Sequence, residues 1–186
     1  MDPEIAKRIF ENNVTRTTHR TPYPSVDPSR PGLSQKGRTV LITGGSAGVG
    51  FAIAKAFVAA SASAVIISGR RQEQLGIAVS SLTKEAAETG TRIIGEKSDA
   101  ADPESIDKLW ADLAERNIVV DVLVLNAAKF ATPGSLLSLG ITHVWKSFEF
   151  NARSLLLHTE KFHQQPKGSG PRVRFLWSQL LSERQC

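Results

Sequence analysis

This chain of 186 residues holds little that invites covalent or metal chemistry. Its one cysteine is the last residue, Cys186, so an internal disulfide and a cysteine zinc site are both excluded, and a reducing compartment is expected. No H-E-x-x-H pattern and no paired-carboxylate arrangement occurs. His143, His158 and His163 are read as surface or interface residues, since His158 and His163 do not share a helical face. The formal charge is +5, yet the basic residues are scattered apart from Arg70-Arg71, and one tyrosine with three tryptophans offers few stacking platforms. Nucleic acid is therefore excluded as a partner. No apolar segment approaches the roughly 18 residues of a bilayer-spanning helix, and the opening MDPEIAKRIFENN carries Asp2 and Glu4 without an apolar stretch. Neither a membrane span nor a signal peptide is expected, and the expected location is cytoplasmic.

What is present divides the chain in three. Residues 1–37 form a polar arm with four prolines between Pro22 and Pro31, each of which removes a donor and fixes its own φ. Residues 38–178 change grammar. TVLIT (39–43), AVIIS (64–68), RIIGE (92–96), VDVLVLN (120–126) and VRFLWS (173–178) read as short buried strands. Between them lie helical segments. GVGFAIAKAFVAA (48–60) is apolar nearly all round and predicts a helix buried against a sheet. Residues 71–89 carry a helical stripe, and Asp102-Pro103-Glu104-Ser105 caps a helix whose Ile106, Leu109, Trp110 and Leu113 share a face. A long helical segment covers 135–163, and residues 179–186 form an atypical tail. Strand–helix alternation predicts an α/β fold, a doubly wound parallel sheet of about five strands with helices on both faces.

TGGSAGVG (43–50) stands between the first strand and the first helix. Glycines there allow a tight turn and let backbone N–H groups approach a pyrophosphate at the positive helix end. A plain turn without a ligand is the alternative for glycines alone. The second strand ends Ser68-Gly69-Arg70-Arg71: glycine stands where an NAD site needs an acid for the ribose 2′-hydroxyl, and arginines follow. A guanidinium fork suits a 2′-phosphate, which favours NADP(H) over NAD(H); alternatively the arginines solvate the next helix start.

The spacing TG-x-x-x-G-x-G resembles the loop of the short-chain dehydrogenase/reductase family, and further matches follow in family order over about residues 22–178. Asp99 resembles the acid that meets the adenine ring. LNAA (125–128) is similar to the family's N-N-A-G, keeping Asn126 and departing at Leu125 and Ala128. Asn151 in FEFNARSLLL matches the asparagine that supports a proton-relay water, and Ser178 stands about where the catalytic serine is expected. The arm is similar to leaders of fungal members.

The resemblance implies a Rossmann-type fold and an NADP(H)-dependent oxidoreductase acting on a ketone or alcohol. Its implied cofactor residues are Gly44, Ser46, Gly48, Val49, Gly50, Ser68, Arg70, Arg71, Asp99 and Asn126, with Asn151 and Ser178 as catalytic candidates and no metal. It also implies a Tyr-x-x-x-Lys pair, and here the only tyrosine is Tyr23, followed four residues later by Asp27. The sequence therefore reads as C-terminally truncated, with an apolar edge left uncovered and poor solubility or a partner as the consequence. Family members often pair through the helix matching 135–163, whose apolar stripe is equally explained by packing on its own sheet. Two further readings stay open: an NADP(H)-binding fragment that turns nothing over, and an interaction subunit.

Overall fold

In the computed structural model, the residues described are His19, Thr21, 23–129 and 134–166, together with the backbone of 173–176. Five parallel strands form one sheet: β1 (Thr39–Thr43), β2 (Ala64–Gly69), β3 (Arg92–Lys97), β4 (Val122–Leu125) and β5 (Val173–Leu176), in the order β3-β2-β1-β4-β5. The order reverses between β1 and β4, where Val40 pairs Val122 and Ile42 pairs Val124. An open sheet binds ligands at the carboxyl ends of the strands on either side of such a reversal.

Side-chain alternation sorts the strand residues into two cores. Val40, Ile42, Val65, Ile67, Val122 and Val124 meet α1 (Gly48–Ala59) and α2 (Gln72–Glu85) through Ala54, Val58, Leu75, Ala78 and Leu82. Leu41, Ile66, Leu123 and Leu125 point the other way. They meet α3 (Pro103–Glu115) and α6 (Ser154–Gln164) through Ile106, Leu109, Trp110, Leu113 and Phe162. β1 and β2 are buried apart from a half-exposed Thr39. That burial on both faces is why they read as continuous β-branched runs.

Several expectations change on folding. The expected helix forms over Gly48–Ala59, but only Gly50, Ala54 and Val58 are buried within it, and Ala52, Ala56 and Ala59 are exposed. One sheet covers one side of a helix, and alanine is small enough to face water at little cost. The expected long helix is broken: α4 (Leu136–Leu139) ends at Gly140, which has φ +75°, and α5 (Ile141–Phe148) runs into a π-turn at Glu149–Arg153 before α6. His158 is no surface residue. It is buried, and the Trp110 Nε1–H donates to its Nδ1 at 3.1 Å, joining α3 to α6. Desolvation pulls its pKa down to about 4. His143 is half-buried and His163 exposed.

The cap read at Asp102 forms. Asp102 caps α3, its carboxylate accepting from the Glu104 N–H at 3.2 Å with Pro103 at the first helical position. The described part of the arm is turn-rich with a 3₁₀ turn at Pro31–Leu33. It is tied down where Gln35 N–H donates to Ala60 O and Gly37 N–H to Ser63 Oγ. These anchors follow the C-terminus of α1, so the arm attaches at the end of the sheet opposite the glycine loop. Ser178 and the tail 179–186 lie outside the described residues. Among the described residues no helix is long and apolar enough to cross a membrane.

Candidate functional site

The carboxyl ends of β1, β2 and β4 open into a crevice of about 420 Å³. Its floor is the glycine loop. Gly44 has φ +66° and Gly48 φ +55°, left-handed backbone that residues with side chains rarely adopt. Gly50 is required for a different reason: a Cβ there would lie 2.4 Å from Gly44 O and 2.5 Å from Asn126 Nδ2. The helix start is thus pressed against the loop. Ala47, at the N-cap of α1, provides no side-chain cap, so the first turn offers free N–H groups and positive dipole to the crevice.

One wall is the end of β4. Asn126 Nδ2 donates to Thr43 O at 3.0 Å and to Gly44 O at 3.3 Å, while Thr43 Oγ1 accepts from the N–H groups of Asn126 and Ala127, each at 3.0 Å. This lattice sews β4 to β1 at the reversal of strand order. It leaves Asn126 Oδ1 buried with no partner among the described residues. An orphaned buried acceptor costs about 1–3 kcal/mol, which a ligand or water donor at the crevice floor would recover.

The opposite wall is the end of β2. Ser68 is buried, lines the crevice, and its hydroxyl has no partner among the described residues. Arg70 and Arg71 are exposed at the rim, and no carboxylate stands at Gly69. The donor set of glycine-loop N–H groups, serine hydroxyls and guanidiniums fits a phosphorylated dinucleotide.

Of the residues read from sequence, Gly44, Ser46, Gly48, Val49, Ser68, Arg70, Arg71 and Asn126 line this one crevice, with Gly50 packed directly behind the loop. Asp99 stands apart. Its carboxylate accepts from the Ala101 N–H at 2.9 Å, its own N–H donates to Ser105 Oγ, and Ser98 and Ala100 form the crevice wall there. Asn151 does not line the crevice either. It is exposed, and its side chain clamps the backbone of Lys129: Nδ2 donates to Lys129 O at 2.7 Å and Oδ1 accepts from Lys129 N–H at 2.9 Å. The π-turn that carries it turns the neighbouring Phe150 inward to line the crevice. Asn151 thereby holds the loop that continues from Asn126. Thr43, Ala127, Ala128 and Phe150 were missed by sequence reasoning; only Thr43, preceding the glycines, left a readable signal. Tyr23 belongs to the arm, its ring 4.4 Å from that of His19.

A family model described as short chain dehydrogenase matches residues 38–178. Among curated relatives, the short chain dehydrogenase pigC of Monascus ruber is 30% identical over 162 residues, covering 86% of this chain and 52% of that protein. The short chain dehydrogenase pgmD of Aspergillus terreus is 40% identical over 131 residues, covering 68% and 41%. The chain thus spans about half the length of the curated relatives it matches. Among solved structures, a short chain dehydrogenase from Burkholderia cenocepacia J2315 in complex with NADP superposes with a TM-score of 0.64 at 28% identity, covering 75% of this chain and 54% of that one. The RhlG/NADP complex from Pseudomonas aeruginosa gives a TM-score of 0.64 at 25% identity, covering 72% and 50%.

Proposed function

The chain belongs to the short-chain dehydrogenase family, and from that premise we propose that it binds NADP(H), in preference to NAD(H), as part of an oxidoreductase acting on a ketone or alcohol. The observation that carries this reading is the end of β2. Ser68, which lines the crevice, and two exposed arginines stand there with no carboxylate at Gly69. An acid at that place accepts hydrogen bonds from a 2′-hydroxyl and repels a 2′-phosphate, whereas serine and arginine do the reverse. The pyrophosphate would lie on the uncapped start of α1, within reach of Gly48 and Val49. Asn126 would keep β1 and β4 together beneath it, and Asn151 would fix the loop at Lys129 as a positioning residue. When bound, NADP(H) supplies or accepts the hydride of a carbonyl–alcohol interconversion.

NADPH fluorescence titration tests the binding. The expected result is saturable binding, tighter for NADPH than for NADH by more than about tenfold, or 1.4 kcal/mol. Absence of saturation sinks the nucleotide reading, and near-equal affinities sink the preference.

A second reading is favoured by one observation: the only tyrosine within these 186 residues is Tyr23, whose ring lies tilted against that of His19 in the arm. On this reading the chain binds NADP(H) without turning a carbonyl over, or serves as an interaction subunit. Consumption of NADPH with a panel of ketones separates the two, since a binder alone leaves NADPH intact. Exposed Ile141, Trp145 and Phe148 on one face of α5, with Leu156 on α6, support self-association through the 135–163 segment. A cytoplasmic location belongs to the same proposal.

A further inference from the structure

A second cavity lies toward the opposite end of the sheet from the glycine loop. It is a groove of about 480 Å³ between α3 and α6, within the size range of small-molecule sites. The carboxyl-terminal turns of both helices flank it, and so do Ile118 and Val119, which lead into the amino end of β4. The crevice lies at the carboxyl end of the same strand, and the two cavities share no lining residue.

The apolar side of the groove is already formed. The Trp110 Nε1–H donates to the buried His158 Nδ1 at 3.1 Å, and the ring meets Phe162 edge-on with centroids 6.4 Å apart. These contacts fix the indole. Its one polar atom is engaged by His158, so what it shows the groove is hydrocarbon. Ala111 and Ala114, one turn apart on the same face of α3, bring only methyl groups to the same trough. Larger side chains there would fill it.

The polar rim carries no net charge. Asp107 and Lys161 both line the groove and neutralise each other across it at 2.7 Å. A charged ligand gains little from an exposed pair that is already matched. Asn117 and Gln164 add exposed amides, each offering donors and an acceptor.

We propose that the α3–α6 groove is a second binding site, separate from the cofactor crevice, for a neutral, flat aromatic molecule carrying a carbonyl or hydroxyl group. The ring would lie against Trp110 and the alanine methyls, with its polar group toward the amides of Asn117 and Gln164. This site does not depend on the NADP(H) reading.

The neutral naphthyl ketone prodan, whose emission shifts to the blue in apolar surroundings, is titrated against the 186-residue chain. It should bind saturably, one molecule per chain, and more than about tenfold tighter than the anionic anilinonaphthalene sulfonate. Ala111→Phe and, separately, Ala114→Phe fill the trough from exposed positions, where the fold tolerates change. Each should weaken prodan by about tenfold or more, with the urea midpoint and the NADPH titration as in the wild-type chain. Ile141→Ser with Trp145→Ser should leave prodan binding unchanged. Absence of saturation overturns the proposal, as does equal affinity for the sulfonate or full binding in both filled variants. Loss of binding in the α5 variant also overturns it, by placing the probe on the outward face of α5. Binding that weakens as protein concentration rises, with a dimer in sedimentation velocity that Ala111→Phe abolishes, would make a second copy of the chain the occupant and overturn it as well.

Discussion

The strands β1 and β2 and the short helix α5 are all rich in apolar side chains, but they end in opposite environments. Val40, Leu41, Ile42, Val65, Ile66 and Ile67 are each 0% exposed, whereas α5 buries none of its residues and leaves Ile141, Trp145 and Phe148 facing outward. Each strand is a neighbour of two others and is covered on both faces by crossover helices. The main contacts of α5 are with α4 and the π-turn, beyond the carboxyl end of β4. An apolar stripe is thus a request for a facing surface. The βαβ grammar answers it for β1 and β2 at once, because each crossover returns a helix onto the sheet. The same stripe on α5 receives no such answer from the described residues.

Paired truncations break or sharpen this contrast most directly. Leu123→Ala, at a fully buried strand position, should lower unfolding free energy by about 2–5 kcal/mol in a denaturant titration. Leu137→Ala, at a position 94% exposed, should change it by less than about 0.5 kcal/mol. Equal costs would mean that a surface covers α4 and that the contrast is mistaken.

The next effect concerns the packed side of the same segment. The His158 imidazole is buried on α6, and its pKa is about 4 against an ordinary 6.5. Above pH 6.5 it is neutral in both states and contributes no pH dependence. Below that, the unfolded chain takes up a proton that the folded chain refuses until about pH 4. Stability should therefore fall as pH drops from 6.5 toward 4, by about 3 kcal/mol in total, then level off for this group. His158→Gln, which retains an acceptor for Trp110, should remove that part of the slope in urea melts at stepped pH. An unchanged slope would place the imidazole in contact with water.

The smallest effect on stability comes from the outward face. Ile141→Ser with Trp145→Ser should shift unfolding free energy by less than about 0.5 kcal/mol. Sedimentation velocity should nevertheless show the variant losing the self-association of the wild-type chain. A wild-type chain that sediments as a monomer at all concentrations would end the pairing proposal.

How much was legible in advance depended on range. The strands and the cap at Asp102 could be read because period-two alternation and an N-cap are decided within a few residues. The glycine loop was legible for the same reason, and the crevice gathers eight of the residues it suggested. Two expected site residues turn elsewhere. Asp99 does so locally, its carboxylate accepting from the Ala101 N–H two residues on, while Ser98 and Ala100 form the wall. Nothing near Asn151 announces a clamp on Lys129, 22 residues earlier. Apolar helical spacing across 135–163 concealed both the break at Gly140 and the π-turn, because one glycine and one extra residue in a turn barely disturb the stripe.

The sequence by itself determined the order of the strands and of the helices up to β4, the glycine-rich turn and the arginines that follow β2, since local sterics and hydrophobic period act between near neighbours. Only the tertiary structure decided which distant polar groups meet. Thr43 joins Asn126 across 83 residues, Trp110 joins His158 across 48, and Ser46 takes the space that a side chain on Gly69 would need. Those pairings arise when the sheet closes and buries the groups together, and a buried polar group must take whatever partner the packing brings within reach.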